Sequence, residues 1–377
     1  MDALTLLSGD AQTFLATVWA SRPHVHKADP ADLAGLLSID DVDHVLTSTA
    51  LRTPALRIAK DGAVLPSASY TRPGSIAGSP LTGLVDARKV VELFDSGATL
   101  VLQGLHRYWP PLTELVRDLE SALGCPCQAN AYLTPPGSQG FALHSDRHDV
   151  FVFQTYGVKQ WQVQDRGEHL DVLMEPGASM YLPTGTPHSA RTQQTASLHV
   201  TVGINQATWR QLLQRVVTEA LTDPAYDDRL PAGYPDDPTL IADEVGARVQ
   251  TLVDALSAYD AGRLADGEAR RFNSSRAPVL RGAITDRLTL DSLDDDTELV
   301  RRPGSVCVVR PGDHPDTVLL LLGDRELRVP SRLADALHHI RERPRLRPGD
   351  LAAWLDPQSR LVLARRLVRE GLLKVAA

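Results

Sequence analysis

His144 and Asp146 are separated by one residue, and His188 follows a Gly185-Thr186-Pro187 turn later in the same stretch of short strands. In a β-strand, side chains at i and i+2 point to the same face, so one strand can present an imidazole and a carboxylate together. Two histidines and one carboxylate on one side of a metal, with the other positions open, is the ligand set of non-haem Fe(II) oxygenases. Alone, a His-x-Asp pair is an ordinary surface pair and a loop histidine an ordinary loop histidine. Zinc takes the same ligands, so a zinc hydrolase stands beside the oxygenase at this point. Lys159 tips the balance. It shares a strand face with Trp161 and Val163, while Gln160, Gln162 and Gln164 take the other face. An inward lysine is costly without an anionic partner. An α-keto acid that chelates iron through its keto and C1 carboxylate oxygens leaves a far carboxylate for that ammonium, with the Tyr132 and Thr201 hydroxyls beside it. Asn130 and Tyr132 share one strand face, as do Ser197, His199 and Thr201.

The flanking sequence supplies elements to position these residues. Asp10, Asp29-Pro30 and Ser38 each precede an apolar-periodic run, giving three short capped helices within residues 1–60. Asp61-Gly62 between two alternating runs predicts a hairpin over 54–65. Residues 66–83, rich in Pro, Gly and Ser, read as a loop. Helices are expected over 86–97 and 110–124 and a strand over 98–105. From 127 to 204 the pattern becomes short strands and tight turns: 149–155 returning through Tyr156-Gly157 into 158–164, then 169–174, 178–183 and 196–204. Residues 207–265 read as amphipathic helices whose apolar stripes need a cover. The last part begins with strands, then helix, short helix, helix and a β tail, the order of a winged helix.

The chain has 377 residues and a net charge of −8, enough for two or three domains and unlike a protein that coats nucleic acid. Cys125, Cys127 and Cys307 make no disulfide framework, and one Cys-x-Cys pair does not complete a zinc site. The first residues lack a basic n-region, and no apolar run reaches about 18 residues, so neither a signal peptide nor a membrane span is expected. A cytoplasmic location is expected.

The run 130-NAYLTPPGSQGFALHSDRHDVFVFQTYGVKQW-161, with 181-YLPTGTPH-188 and 197-SLHVTVG-203, resembles the cupin-type JmjC ribosomal oxygenases, which are Fe(II)- and 2-oxoglutarate-dependent protein hydroxylases. The resemblance extends over most of the chain, from Trp19 through 52-RTPALRIAKDG-62 to the C-terminal segment. It implies an α+β protein with a double-stranded β-helix (jelly-roll, cupin) JmjC core and flanking helices. The catalytic domain would cover 1–206, a helical dimerisation unit 207–265, and a linker with a winged-helix domain 266–377. It implies that His144, Asp146 and His188 hold iron and that Lys159 takes the C5 carboxylate of 2-oxoglutarate, with Asn130, Tyr132 and Thr201 lining that pocket. The implied reaction is hydroxylation of an Arg or His side chain of a ribosomal protein, by a homodimer without membrane or direct nucleic-acid contact. Ser145, Arg147 and His148 depart from the family pattern, so the substrate mouth, with Gln139 and loop 66–83, is expected to be particular to this chain. Rival readings keep the chemistry on a natural-product precursor peptide, or use it for demethylation. A rival of another class is a metal-sensing winged-helix DNA-binding regulator, supported by twelve Lys/Arg against six Asp/Glu between Arg325 and Lys374.

Overall fold

The computed structural model describes residues 2–138 and 142–376. Four short helices open the chain: α1 (Ala3–Ser8), α2 (Ala11–Thr17), α3 (Pro30–Ala34) and α4 (Ile39–Ser48). Their ends are set as expected. Asp10 accepts from the Thr13 amide, Pro30 opens α3, and Ser38 and Asp41 form a reciprocal capping box. A strand that the sequence did not announce, β1 (His24–Lys27), lies among them. Next comes the predicted hairpin of β2 (Leu56–Lys60) and β3 (Ala63–Val64), turned at Asp61 and Gly62 with φ of 50° and 80°.

Residues 66–83 are not a plain loop. They carry a second hairpin, β4 (Thr71–Ile76) and β5 (Ser79–Val85), turned at Ala77-Gly78 with φ of 49° and 81°. No residue of β4 is buried, so no apolar alternation marks it; backbone pairing alone makes it a strand. After α5 (Ala87–Asp95), β6 (Thr99–Leu102) and α6 (Pro110–Leu123) come seven strands. They are β7 (Cys127–Thr134), β8 (Asp149–Tyr156), β9 (Lys159–Asp165), β10 (Glu168–Met174), β11 (Ala178–Leu182), β12 (His188–Thr192) and β13 (Ser197–Ile204).

An eight-stranded sheet has the order β1-β11-β8-β13-β7-β6-β2-β3, and a three-stranded sheet has the order β10-β9-β12. Alternation decides what each face meets. On β8, Phe151 and Phe153 pack with Phe14, Leu33 and Tyr181 in the core under the helices. Val150 and Val152 point the other way, into a second core with Trp161, Val163, Val172, Met174 and Met180. β8 is therefore buried on both faces, which is why its sequence is a continuous apolar run. This is the two-layer sheet of a cupin-like fold.

β9 does not return alongside β8; it crosses to the small sheet, where it pairs with β10 and β12. Gly157, with φ of 64°, makes the corner, and a Cβ there would fall 1.8 Å from the Ala196 carbonyl oxygen. Only glycine fits. The crossing places Lys159, Trp161 and Val163 across the sandwich from β8 and β13.

Helices α7 (Trp209–Ala220), α8 (Thr239–Ser257) and α9 (Ala261–Phe272) follow, the last running past the boundary expected at residue 265. The C-terminal part has α10 (Ala283–Leu288), β14 (Leu299–Arg301), the meander β15 (Val308–Pro311), β16 (Thr317–Leu321) and β17 (Glu326–Pro330), then α11 (Ala334–Glu342), β18 (Arg345–Leu346), α12 (Pro357–Arg369) and β19 (Leu373–Val375). β14 lies between β18 and β19, over a core that includes Leu299, Leu337, Ile340, Leu351 and Leu367.

A buried ion cluster ties this part to the sandwich. Glu120 on α6 accepts from Arg117 at 2.6 Å, from Arg276 at 3.2 Å and from the Cys127 amide at 2.9 Å. Replacing Glu120 by alanine leaves two part-buried guanidinium groups without their anion, so a loss of about 3 kcal/mol is expected. Urea denaturation reads it; a loss below about 1 kcal/mol would mean that water serves the arginines equally well.

Candidate metal centre and cavity

His144 and His188 face each other across a single antiparallel bridge. The His144 amide donates to the His188 carbonyl at 3.1 Å, and the His188 amide donates back to the His144 carbonyl at 2.8 Å. The ring centroids are 4.5 Å apart. Contrary to the sequence reading, His144 and Asp146 do not lie on a regular strand; they sit in the segment before β8, with only that bridge. Asp146 reaches the site because its carbonyl accepts from the Gly185 amide at 2.9 Å, which joins the two ligand-bearing segments. One ligand atom each from His144, Asp146 and His188 lies within 4.8 Å of the others, and Asp146 Oδ2 is 3.7 Å from His188 Nε2.

The rings are oriented for a metal. Nδ1 of His144 donates to the Ala142 carbonyl at 2.8 Å, and Nδ1 of His188 donates to the Thr186 carbonyl at 2.9 Å. A carbonyl oxygen only accepts, so each Nδ1 carries the proton and each Nε2 keeps its lone pair. Outer-shell bonds of this kind fix tautomer and ring direction in metal sites. Burial holds the His188 pKa below the usual histidine value, which favours the neutral ligand form. Two imidazoles and a carboxylate suit Fe(II).

The three ligands open on a cavity of about 240 Å³, lined also by Arg57, Thr99, Tyr132, Lys159, Trp161, His199 and Thr201. Lys159 lies on its floor, 2% exposed, and donates to Thr134 Oγ1 at 3.1 Å; Thr99 donates to the same oxygen at 3.2 Å. Among the described residues no carboxylate pairs with Lys159, and burial pushes its pKa down to about 7. Among the described residues its one side-chain partner is thus a neutral hydroxyl.

Tyr132, Thr201 and Lys159 thus share the cavity, as expected. Asn130 does not line it: its side-chain oxygen accepts from the Gly104 amide at 2.9 Å. Asn130 has the predicted strand phase, but the turn at Gly104 takes its amide. Of the expected mouth residues, Ser145 and Arg147 are exposed, and His148 packs against Gly203, where a Cβ would fall 2.6 Å from its Nε2. Gln139 lies outside the described residues.

The sequence reading missed several lining groups. His199 is buried and stacks on Tyr132 at 4.9 Å between centroids; among the described residues its Nδ1 and the Trp161 Nε1 have no hydrogen-bond partner. Their strand phases announced them, since His199 shares a face with Thr201, and Trp161 with Lys159. Arg57 gave no such signal, because it arrives from β2 through the sheet order.

Asp149, the first residue of β8, was also missed. Its buried carboxylate accepts from Tyr181 Oη, from the Thr184 amide at 2.8 Å, from Thr184 Oγ1 at 2.7 Å and from Gln206 Nε2 at 2.6 Å. It pins the turn that leads into His188. Asp149→Asn turns part of an acceptor into a donor facing donors, so it is expected to cost about 1–3 kcal/mol of stability. Metal affinity should fall roughly 10-fold, as for other supporting bonds in metal sites. Titration calorimetry with Mn(II) checks this; unchanged affinity would show that the turn holds without Asp149.

A model of the JmjC domain matches residues 106–212. The chain is 28% identical over 305 residues to a bifunctional lysine-specific demethylase and histidyl-hydroxylase NO66 of Culex quinquefasciatus, covering 71% of this chain and 46% of that protein. It is 30% identical over 234 residues to ribosomal oxygenase 1 of Gallus gallus, covering 56% of this chain and 37% of that one. The chain thus spans about half the length, or less, of these relatives. Among solved structures, the Escherichia coli ribosomal oxygenase YcfD superposes with a TM-score of 0.55 at 20% identity, over 98% of this chain and 99% of that one. At that identity the likeness concerns the fold, including the C-terminal part. Residues 106–212 thus form a JmjC domain, and the chain is similar in sequence to ribosomal oxygenases and in fold to YcfD.

Proposed function

We propose that this protein is an Fe(II)- and 2-oxoglutarate-dependent oxygenase that hydroxylates an Arg or His side chain of a ribosomal protein. The observation that carries the reading is one cavity holding His144, Asp146 and His188 at one place and a buried, anion-seeking Lys159 at another. The names of the relatives support a protein substrate, and a related YcfD structure is described as a complex with cobalt and 2-oxoglutarate. When bound, iron with 2-oxoglutarate and O₂ supplies the oxidant for an unactivated C–H bond, with succinate and CO₂ as co-products. The chain's residues do the rest. His144, Asp146 and His188 hold the metal, Lys159 and Thr134 hold the far carboxylate, and Tyr132 and Thr201 stand on the cavity wall. The sheet residues Val150, Val152, Trp161 and Ala190 exclude water, which strengthens each of those polar contacts.

The domain reading goes with this function. Residues 207–265 would make a homodimer: Val245, Val249 and Val253 form an exposed row at four-residue spacing on α8, and Trp209 on α7 is 79% exposed. Residues 266–377 would act as a winged-helix unit that takes part in substrate capture, with the helix–helix–strand order of α11, α12 and β19 as support. No described helix is long and apolar enough to cross a membrane.

The test is a pair of measurements. Purified protein with Fe(II), 2-oxoglutarate and O₂ should form succinate, detected by NMR. Mass spectrometry of ribosomal proteins from cells with and without the gene should show one residue, His or Arg, heavier by one oxygen only when the gene is present. Succinate without a ribosomal change would move the substrate to another peptide; no succinate under any condition would sink the oxygenase reading.

A further inference from the structure

The C-terminal arginines do not form one uniform salt-bridged surface. Arg325 pairs with Asp324 and Glu370, Arg328 with Asp313, Arg360 with Asp295, and Arg366 with Glu370. The run 341-RERPRLRP-348 is different. Arg341, Arg343, Arg345 and Arg347 are all exposed, and Leu346 between them is buried as the anchor. Arg343 and Arg347 have extended backbones and flank β18, so side chains 343, 345 and 347 point to one side, about 6.6–6.8 Å apart. Val300 on β14 is opposite both Arg345 and Lys374, which adds a fourth cation abreast of the row. Arg345 pairs with Glu298 at 2.8 Å; among the described residues, Arg341, Arg343, Arg347 and Lys374 form no ion pair.

We propose that this row is an RNA-binding strip, which grips consecutive phosphates of an RNA strand next to the hydroxylation substrate. Regular spacing along a line fits a repeating polyanion better than a single acidic group. No large apolar side chain is exposed within the row, so nothing there would enter a bilayer. The cations lie on a strand rather than on a helix aimed into a groove, so contact is with the backbone and independent of sequence. RNA rather than DNA rests on the ribosomal substrate proposed above. The overall charge of −8 set the expectation of no direct nucleic-acid contact; the local row outweighs it because charges beyond about 10 Å are screened at ordinary salt.

The experiment uses the full chain and a fluorescein-labelled oligouridylate, followed by anisotropy across a salt series. The matched oligodeoxythymidylate and phosphatidylserine vesicles form separate arms. Each single-strand phosphate contact contributes about 0.7 to the slope of log affinity against log salt, so Arg343→Gln/Arg347→Gln/Lys374→Gln, which removes three cations of the row that form no ion pair among the described residues, should reduce the slope by about 2. A control triple at positions whose acidic partners are exposed, Arg248→Gln/Arg263→Gln/Arg328→Gln, should leave the slope within about 0.5 of wild type. Both triples should keep the wild-type melting temperature and 2-oxoglutarate turnover, so loss of RNA binding reads separately from loss of the oxygenase. No RNA binding at low salt, equal losses in the two triples, a preference for DNA, or binding of vesicles instead would each overturn the proposal. So would self-association of the first triple with unchanged RNA affinity, since arginine and proline on an edge strand also repel a second strand.

Discussion

Asp146→Ala is expected to abolish 2-oxoglutarate turnover and to weaken divalent metal binding by more than the ~10–100-fold typical of losing an outer-shell partner. Asp146 is the only carboxylate of the described metal cluster, so its removal leaves two neutral imidazoles and no anion to offset the metal's charge. The fold should survive. Asp146 is part-exposed, and its segment is held by the bridge between His144 and His188 and by the Gly185 amide on its backbone carbonyl. None of these bonds uses the carboxylate. A melting curve like that of wild type, with metal binding lost in calorimetry, is therefore the expected pair of results. Retained metal affinity would place the metal elsewhere and end the oxygenase reading at this site.

Lys159→Met should separate cosubstrate binding from stability. Folded Lys159 titrates near 7, against an ordinary value of 10.5. Between those values the unfolded chain keeps the proton that the folded chain has released, so the stability of the ligand-free protein rises as pH goes from about 7 toward 10.5. Below about 7 both states are protonated and the full burial penalty is present. Methionine keeps the length of the stem without the charge, so the variant should be at least as stable as wild type at pH 7 and should lose this slope. Its affinity for 2-oxoglutarate should fall by about 2–5 kcal/mol, the cost of removing one partner of a buried charge pair. Wild type should also take up close to one proton per 2-oxoglutarate bound near pH 8, because the incoming carboxylate restores the ammonium; the variant should take up none. Calorimetry in buffers of different ionisation enthalpy measures that proton. Unchanged affinity, or equal proton uptake in the two proteins, would remove Lys159 from the cosubstrate site.

Much of the site was legible because the chemistry of ligands is carried by residue type and the strand repeat is two. The inward phase of Lys159 and the shared face of Tyr132 and Thr201 follow from that arithmetic; His144, Asp146 and His188 were legible by residue type, although the first two lie before β8 rather than on a regular strand. Caps and turns at Asp10, Ser38 and Asp61-Gly62 were equally readable, since each is a local bond between neighbours in sequence. The exposed hairpin of β4 and β5 was not, because it buries too little to leave a pattern.

What the chain alone determined is which side chains point the same way within a segment. What only the tertiary structure decided is which segments meet. Gly157 sends β9 into the opposite sheet, Arg57 enters the cavity from the far side of the large sheet, Asn130 is taken by the Gly104 turn, and Asp149 fixes the loop before His188. Each of these depends on contacts between residues far apart in sequence. Side-chain periodicity carries no information about the partner of a strand; that is settled by the packing of both of its faces at once.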